Sequence, residues 1–202
     1  MAVLLADPEL EAELRRQRRE SGADKYDEVW DGVYVMHAYP EDEHQEIVAG
    51  VTHALWEAVQ VRKLGRVRPG VNISANPADW KRDYRCPDVV AFLSDTTAEC
   101  HGVFWNSADF VVEVVSKDDK SREKLDFYAR VGVSELLLVD RRPWLLELYR
   151  HDGSRLSEVG KAGVGDAELR SNVLPLGFSL LDDADRPFVV VKQSQSGEEW
   201  RV

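Results

Sequence analysis

The middle of the chain carries two short apolar runs on either side of a helical segment, and this order constrains the fold more than any other feature. The apolar runs are "DFVVEVVS" at 109–116 and "ELLLVD" at 135–140, and the segment between them is "SREKLDFYARVG" at 121–132. Apolar runs of this length are typical of buried strands. Two strands joined through a crossover helix lie parallel, so the sequence predicts a strand–helix–strand unit.

Upstream segments add predicted antiparallel elements to this unit. The dipeptide Asp-Gly at 31–32 lies between two alternating runs and predicts a β-hairpin. Apolar residues recur at helical spacing between 41 and 64 and predict a helix that Gly65 closes. Two further runs, at 66–73 and 86–93, are predicted strands. The fold class is therefore α/β (mixed α+β), with a central mixed sheet flanked by helices.

The two ends of the chain differ in character from its middle. Pro8, early acids and later arginines predict a first helix that ends near Gly22. The last fifty residues give weaker strand signals, "PLGFSLL" at 175–181 and "PFVVV" at 187–191. The predicted division has three parts, namely an N-terminal helical extension (1–25), a core (26–150) and a strand-rich C-terminal extension packed on the core (151–202).

Composition excludes several classes of protein. The 202 residues carry a net charge of −11, which argues against a general basic coat for nucleic acid but is compatible with a local basic or metal-filled cleft. The two cysteines, Cys86 and Cys100, lack zinc spacing. No signal peptide is evident, and no apolar stretch approaches the ~20 residues of a membrane span. We therefore expect a cytoplasmic protein without a membrane partner.

One acid interrupts the apolar run at 109–116. Glu113 lies between Val112 and Val114 and must face the opposite side of the strand from both. A buried carboxylate needs a partner or a metal ion, and Asp88 stands just before the apolar residues of the strand predicted at 86–93. If those strands pair, two carboxylates meet and suit Mg²⁺ or Mn²⁺. The alternatives stay open: Glu113 facing solvent or an arginine, and Asp88 as part of a turn.

Four segments taken in order carry a family resemblance. They are "DEVWDGVYVMHAYPEDEHQEIVAGV", "PDVVAFL", "DFVVEVVS" and "EKLDFYARVGVSELLLVD", which together span roughly residues 26 to 150. This series resembles the Uma-two family of restriction-endonuclease-like proteins, within the PD-(D/E)xK nuclease superfamily. The resemblance implies a restriction-endonuclease-like core, a Mg²⁺- or Mn²⁺-dependent endonuclease acting on DNA, and a homodimer by analogy.

The resemblance also implies roles for individual residues. Asp88 matches the first acid of the motif and Glu113 the second, and both would hold the divalent ion. The usual lysine position is Val115, which cannot serve, and in this family the lysine moves to the following helix, where Lys124 stands. Lys124 would place positive charge near the scissile phosphate. Its alternative is a solvated helix lysine. If Lys124 does supply this charge, Lys124→Ala is expected to suppress cleavage and to leave Mn²⁺ binding and the melting temperature nearly unchanged.

Further residues are candidates for supporting the site. Glu43 and His44 lie near the start of the first core helix, and Tyr128 lies one helical turn after the candidate lysine. Their alternatives are a first-turn acid, an ordinary helix residue and a packed aromatic ring. The acid expected four residues before the lysine is replaced by Lys120, and acids stand at 118–119 instead. A nuclease-fold domain without activity, used for protein contacts or self-association, is therefore the alternative function.

Overall fold

Short helices and a long series of strands alternate along the chain. The computed structural model describes residues 8–116 and 120–202. The helices are α1 (Pro8–Ser21), α2 (Asp42–Leu55), which a π-helical turn (Trp56–Val61) continues, and α3 (Leu125–Arg130), which a 3-10 turn (Ser121–Lys124) precedes. The strands are β1 (Glu28–Trp30), β2 (Val33–Val35), β3 (Gly65–Pro69), β4 (Asn72–Ile73), β5 (Val89–Leu93), β6 (Phe104–Trp105), β7 (Phe110–Val114), β8 (Glu135–Arg141), β9 (Trp144–His151), β10 (Leu156–Ala162), β11 (Leu169–Arg170), β12 (Leu176–Leu181), β13 (Phe188–Gln193) and β14 (Glu199–Arg201).

Within the described residues, the central sheet has six strands in the order β10-β9-β8-β7-β5-β3. Strands β7 and β8 run parallel and are joined through α3, whereas the other neighbours are antiparallel. The predicted mixed sheet and its strand–helix–strand unit are confirmed. In the antiparallel pairing of β5 with β7, Val89 lies opposite Val112. The residue before Val89 is Asp88 and the residue after Val112 is Glu113, so these two also lie opposite each other.

The two faces of the central sheet are covered by different layers. Val112 and Val114 belong to a core shared with α2 and the C-terminal strands, including Phe178. Val111 and Val115 belong to a second core shared with α3. Because side chains alternate along a strand, Glu113 points to the α3 side with Val111 and Val115, as the sequence predicts. The carboxylate is thereby aimed at the helix that follows its own strand.

The predicted hairpin is confirmed and lies close to the sheet. Asp31 and Gly32 have φ values of 48° and 88°, the positive values that a two-residue turn between β1 and β2 needs. The amide of Tyr84 donates to the carbonyl of Val29 at 2.8 Å, which ties the hairpin to the chain just before β5. As a result Glu28, at the start of β1, is 1% exposed.

The predicted role of Gly65 is wrong. The helical segment ends at Val61, and Gly65 is instead the first residue of β3. A Cβ atom on Gly65 would lie 2.1 Å from the carbonyl oxygen of Phe92, so only glycine lets β3 approach β5 this closely. The single strand predicted at 66–73 is in fact two strands, β3 and β4, separated at Gly70, whose φ is 58°.

The C-terminal part of the chain is integrated with the sheet. Strand β10 pairs with β9 and extends the central sheet beyond residue 150. Strands β11 to β14 form a second sheet, and Leu176 and Phe178 of β12 enter the core beneath α2. The three-part division at residues 25 and 150 stays a prediction. No helix in the described ranges is both long enough and apolar enough to cross a membrane.

Candidate active site

The two predicted acids meet at one end of β5 and β7. Asp88 Oδ2 accepts a hydrogen bond of 2.7 Å from the amide of Val114, so the two strands themselves fix its carboxylate. Its Oδ1 lies 3.2 Å from Nε2 of His44 on α2. The Asp88 side chain keeps 21% of its surface exposed, whereas Glu113 is 3% exposed. The pair therefore combines a buried carboxylate with one that solvent reaches.

Lys124 reaches the buried carboxylate from the turn that leads into α3. Its Nζ lies 3.0 Å from Glu113 Oε1, and the residue is only 4% exposed. The hydroxyl of Tyr128, one turn further along, donates to the same oxygen. Tyr128 is fully buried, so it is both a packed aromatic residue and a direct partner of Glu113. Lys124 is not a solvated lysine, because the start of α3 directs it at the sheet.

A third carboxylate, on the hairpin, was missed by the sequence analysis. Glu28 Oε1 lies 3.0 Å from Nζ of Lys124 and accepts a 2.8 Å hydrogen bond from the amide of Cys86. Its Oε2 accepts a 2.6 Å hydrogen bond from the indole of Trp30 and lies 3.5 Å from Nε2 of His37. Glu28 gives no signal of a site in the sequence, because it stands beside Asp27 at the start of a short run that predicts only a hairpin.

The two buried carboxylates beside Lys124 have pKa values shifted in opposite directions. Burial raises the pKa of Glu113, the charges of Asp88 and Glu28 add to this, and Lys124 and Tyr128 lower it only partly, which leaves it at about 8. Burial also acts to raise the pKa of Glu28, but Lys124, His37 and the amide of Cys86 together bring it down to about 2. At neutral pH Glu28 is ionised, and most of Glu113 carries a proton.

These side chains line an open pocket of about 400 Å³. Its lining includes Asp88 and Glu113 at the ends of β5 and β7, and residues 35–41 at the end of the hairpin and in the connection to α2. Lys120 and Lys124 both line the pocket, so acidic and basic groups share one cavity. This arrangement can accept a cation at the carboxylates and an anionic group beside the lysines.

The other candidates are placed differently. His44 is 8% exposed and bridges Asp88 and Ser116, whose Oγ lies 3.2 Å from its Nδ1, so it belongs to the site. Glu43 instead accepts a 2.6 Å hydrogen bond from Arg141 and is not part of the pocket lining. Nζ of Lys120 lies 2.7 Å from Glu123. The acids at 118–119, and Lys117 before them, lie outside the described residues.

Two carboxylates facing one pocket are a suitable donor set for a hard divalent ion. Mg²⁺ is commonly held by one or two carboxylates together with water and substrate phosphates. Among the described residues both donors to Glu113 contact Oε1, which leaves Oε2 to face another partner. The same residues contain no group of three or more histidine, cysteine or acidic side chains placed to hold a metal. Two carboxylates leave most of the coordination positions of such an ion to water and substrate.

Comparison with known families agrees with this geometry. A family model described as "Uma2: Putative restriction endonuclease" matches residues 12–183. This chain belongs to the Uma2 family. The match is longer than the stretch 26–150 that carries the resemblance in sequence. It includes most of α1 and the strands β10 to β12.

A solved structure shares the fold of this Uma2 member. A crystal structure described as a "putative nuclease belonging to DUF820", from Anabaena variabilis, matches with a TM-score of 0.60 and 16% sequence identity. The match covers 72% of this chain and 80% of that one. At this identity the likeness concerns the fold, and it confirms the predicted nuclease-like, mixed-sheet fold class. A comparison with curated proteins gives no match.

Proposed function

We propose that this protein is a divalent-metal-dependent nuclease that hydrolyses phosphodiester bonds in DNA. The observation that carries the proposal is the placement of Asp88 and Glu113 opposite each other at one pocket, with the amine of Lys124 3.0 Å from Glu113. Membership of the Uma2 family supports a nuclease activity. DNA is the substrate that the family description favours, because restriction endonucleases act on DNA.

Some residues of the site would hold the ion, and others would place positive charge near the phosphate. Asp88 and Glu113 would hold Mg²⁺ or Mn²⁺, and such an ion supplies a water of lowered pKa and neutralises charge on the phosphate. His44 and the amide of Val114 hold the Asp88 carboxylate towards the pocket. Lys124 brings a positive charge to the same end of the sheet, where it would stabilise the charge that develops on the phosphate.

Mn²⁺ binding provides a direct test that needs no substrate. Isothermal titration calorimetry should show Mn²⁺ binding to the wild type, and Asp88→Ala should abolish it, because this change removes the more accessible of the two carboxylates. Asp95→Asn is a suitable control, since Asp95 is an exposed acid just beyond the other end of β5. No binding to the wild type at millimolar Mn²⁺, or unchanged binding to Asp88→Ala, would contradict the proposed metal site.

The pKa of Glu113 predicts that Mn²⁺ binding depends on pH. Because Glu113 has a pKa of about 8, it must lose a proton before it can hold the ion. Affinity should therefore rise about tenfold per pH unit as the pH approaches 8, with about one proton released per ion. Titrations in two buffers with different ionisation enthalpies measure the released proton. The same heat in both buffers at pH 6.5 would count against a protonated Glu113.

Without metal, the same group should make stability fall as the pH rises. Glu113 binds its proton more tightly in the folded protein than an ordinary glutamate of pKa 4.5 does. Its contribution to the free energy of unfolding is therefore complete below pH 4.5 and is lost as the pH rises towards 8. Glu28 has the opposite sign, and its contribution is lost only as the pH falls towards 2. Thermal melts of Glu113→Gln should show a smaller decline than the wild type between about pH 5 and 8. Equal declines would exclude Glu113 as the source.

A nuclease-fold domain without activity is the second candidate function. It is favoured by the observation that Lys124 already places a positive charge 3.0 Å from both Glu113 and Glu28 without a metal ion. The net charge of −11 also disfavours broad contact with DNA. The calorimetric titration separates the two functions, because an inactive domain of this kind has no reason to bind Mn²⁺ through Asp88.

The homodimer stays a prediction, and one simple route to it is not supported. Strand β3 is an edge of the central sheet, and an open edge can pair with a second copy. The outward amide of Val67 donates instead to Oε1 of Gln60 at 3.0 Å, and the carbonyl of Val67 accepts a 2.7 Å hydrogen bond from Arg68. Pro69, the last residue of the strand, has no N–H to offer.

A further inference from the structure

The hairpin contributes a carboxylate to the lysine of the candidate active site. Nζ of Lys124 lies 3.0 Å from Glu28 Oε1 on β1 and 3.0 Å from Glu113 Oε1 on β7, so the ammonium is equally close to the carboxylates of two strands. Glu28 is 1% exposed and is itself held by the indole of Trp30 and the amide of Cys86. The carboxylate of Glu28 is therefore fixed by two donors of its own, in addition to Lys124.

The proposed function gives Glu113 two conflicting tasks. It would hold a divalent ion, and it also binds the ammonium of Lys124. An ion at Glu113 repels an ammonium group at the same carboxylate, and this repulsion is strong where water is largely excluded. If Glu113 were the sole partner, binding of the ion would drive Lys124 away from the site where its charge is needed. A second carboxylate that takes no part in holding the ion removes this conflict.

We propose that Glu28 is a positioning residue that keeps the amine of Lys124 at the site when Glu113 engages the divalent ion. The inference rests on the proposed nuclease function and adds the hairpin to the working parts of the site. Glu28 acts through Lys124 and does not contact the substrate. The hairpin thus takes part in the site, because Glu28 on β1 holds the ammonium of Lys124, which lies in the turn that precedes α3.

Chemical labelling of lysines tests this role without an activity assay. Reductive methylation followed by mass spectrometry reports how accessible each amine is in the folded protein. In Glu28→Gln the Lys124 amine should be labelled about tenfold faster or more than in the wild type, the factor that loss of one charge-assisted hydrogen bond implies. Glu123→Gln is the matched control. It removes an exposed carboxylate from the neighbouring Lys120 and should leave labelling of Lys124 unchanged.

Addition of Mn²⁺ separates positioning from general loosening of the fold. In the wild type, Lys124 should stay protected when Mn²⁺ binds, because Glu28 retains it. In Glu28→Gln, Mn²⁺ should increase its labelling further, because Glu113 is then engaged by the ion. Wild-type labelling of Lys124 in Glu28→Gln, or labelling that does not respond to Mn²⁺ in a variant that binds it, would overturn the proposal.

Two further outcomes are decisive. If Glu28→Gln does not fold, Glu28→Asp tests the same contact, because it keeps the charge but withdraws the carboxylate by one methylene; unchanged labelling there would also overturn the proposal. Absence of Mn²⁺ binding in calorimetry of the wild type overturns the proposed function, and this role with it.

In an active enzyme, Glu28→Gln should lower kcat with little change in KM, and should have no further effect on kcat in a Lys124→Ala background.

Discussion

Lys124→Ala is expected to slow DNA cleavage by ~10²–10³-fold, the usual cost of removing one electrostatic contact to a transition state. The proposed work of Lys124 is at the phosphate, whereas Asp88 and Glu113 would hold the ion. Mn²⁺ binding should therefore persist in the variant. It should not weaken, because the ammonium that competes for Glu113 is gone. Single-turnover cleavage of plasmid DNA at saturating Mn²⁺ measures the rate, and calorimetry measures the binding.

The same substitution should also destabilise the protein, whereas the sequence alone predicts a nearly unchanged melting temperature. Lys124 is 4% exposed and lies between two buried carboxylates. Its removal leaves Glu28 either charged without its main partner or protonated at a cost, and breaking a buried ion pair typically costs about 3–5 kcal/mol. Rates must therefore be compared at a temperature where circular dichroism shows both proteins to be folded.

Lys120→Ala is the matched control, since Lys120 lines the same pocket but pairs with the exposed Glu123. This variant should keep both its stability and most of its activity. Cleavage at the wild-type rate by folded Lys124→Ala would remove this lysine from the mechanism. If Lys120→Ala were then the slow variant, the cation would have to be assigned to Lys120 and the segment before α3.

The sequence predicts the paired carboxylates well because strand periodicity determines them. Once Glu113 interrupts an apolar run, alternation assigns it a face, and the strand–helix–strand order places a helix over that face. Lys124 follows from the family resemblance, and Tyr128 from its spacing of one helical turn after that lysine. Glu28 could not be found in the same way, because nothing local in a hairpin says which of its two faces will be buried. That depends on where the hairpin packs, and Val29 and Tyr84 meet across more than fifty residues of chain.

The errors in the predicted fold have a similar origin. Gly65 follows a helical pattern, and a glycine there usually ends a helix. Its actual role comes from the carbonyl of Phe92 on a strand that lies far along the sequence. The strand β10 was not predicted because its middle residues face solvent at a sheet edge, where polar composition hides the pattern. Periodicity identifies elements with one buried face, and it fails where a distant partner or an edge decides the structure.

Phe178→Ala should lower the free energy of unfolding by about 3–5 kcal/mol, the usual cost of truncating a buried phenylalanine. Phe178 on β12 is fully buried, and its ring stacks on Phe110 of β7 with 5.6 Å between centroids. Phe110 lies on the strand that carries Glu113, so the C-terminal sheet supports the strand of the candidate site. Urea unfolding followed by tryptophan fluorescence measures the loss.

This substitution also decides how the chain divides into folding units. If the strands after residue 150 form an extension that folds together with the core, one transition should persist and its midpoint should shift as a whole. Leu181→Ala, on the same strand but 41% exposed, should shift it far less. An independent C-terminal unit would instead unfold in a transition of its own, leaving Mn²⁺ binding at Asp88 intact at intermediate urea. A stacked pair of rings that crosses from β12 to β7 favours the single transition, because removing one ring leaves a cavity against the other.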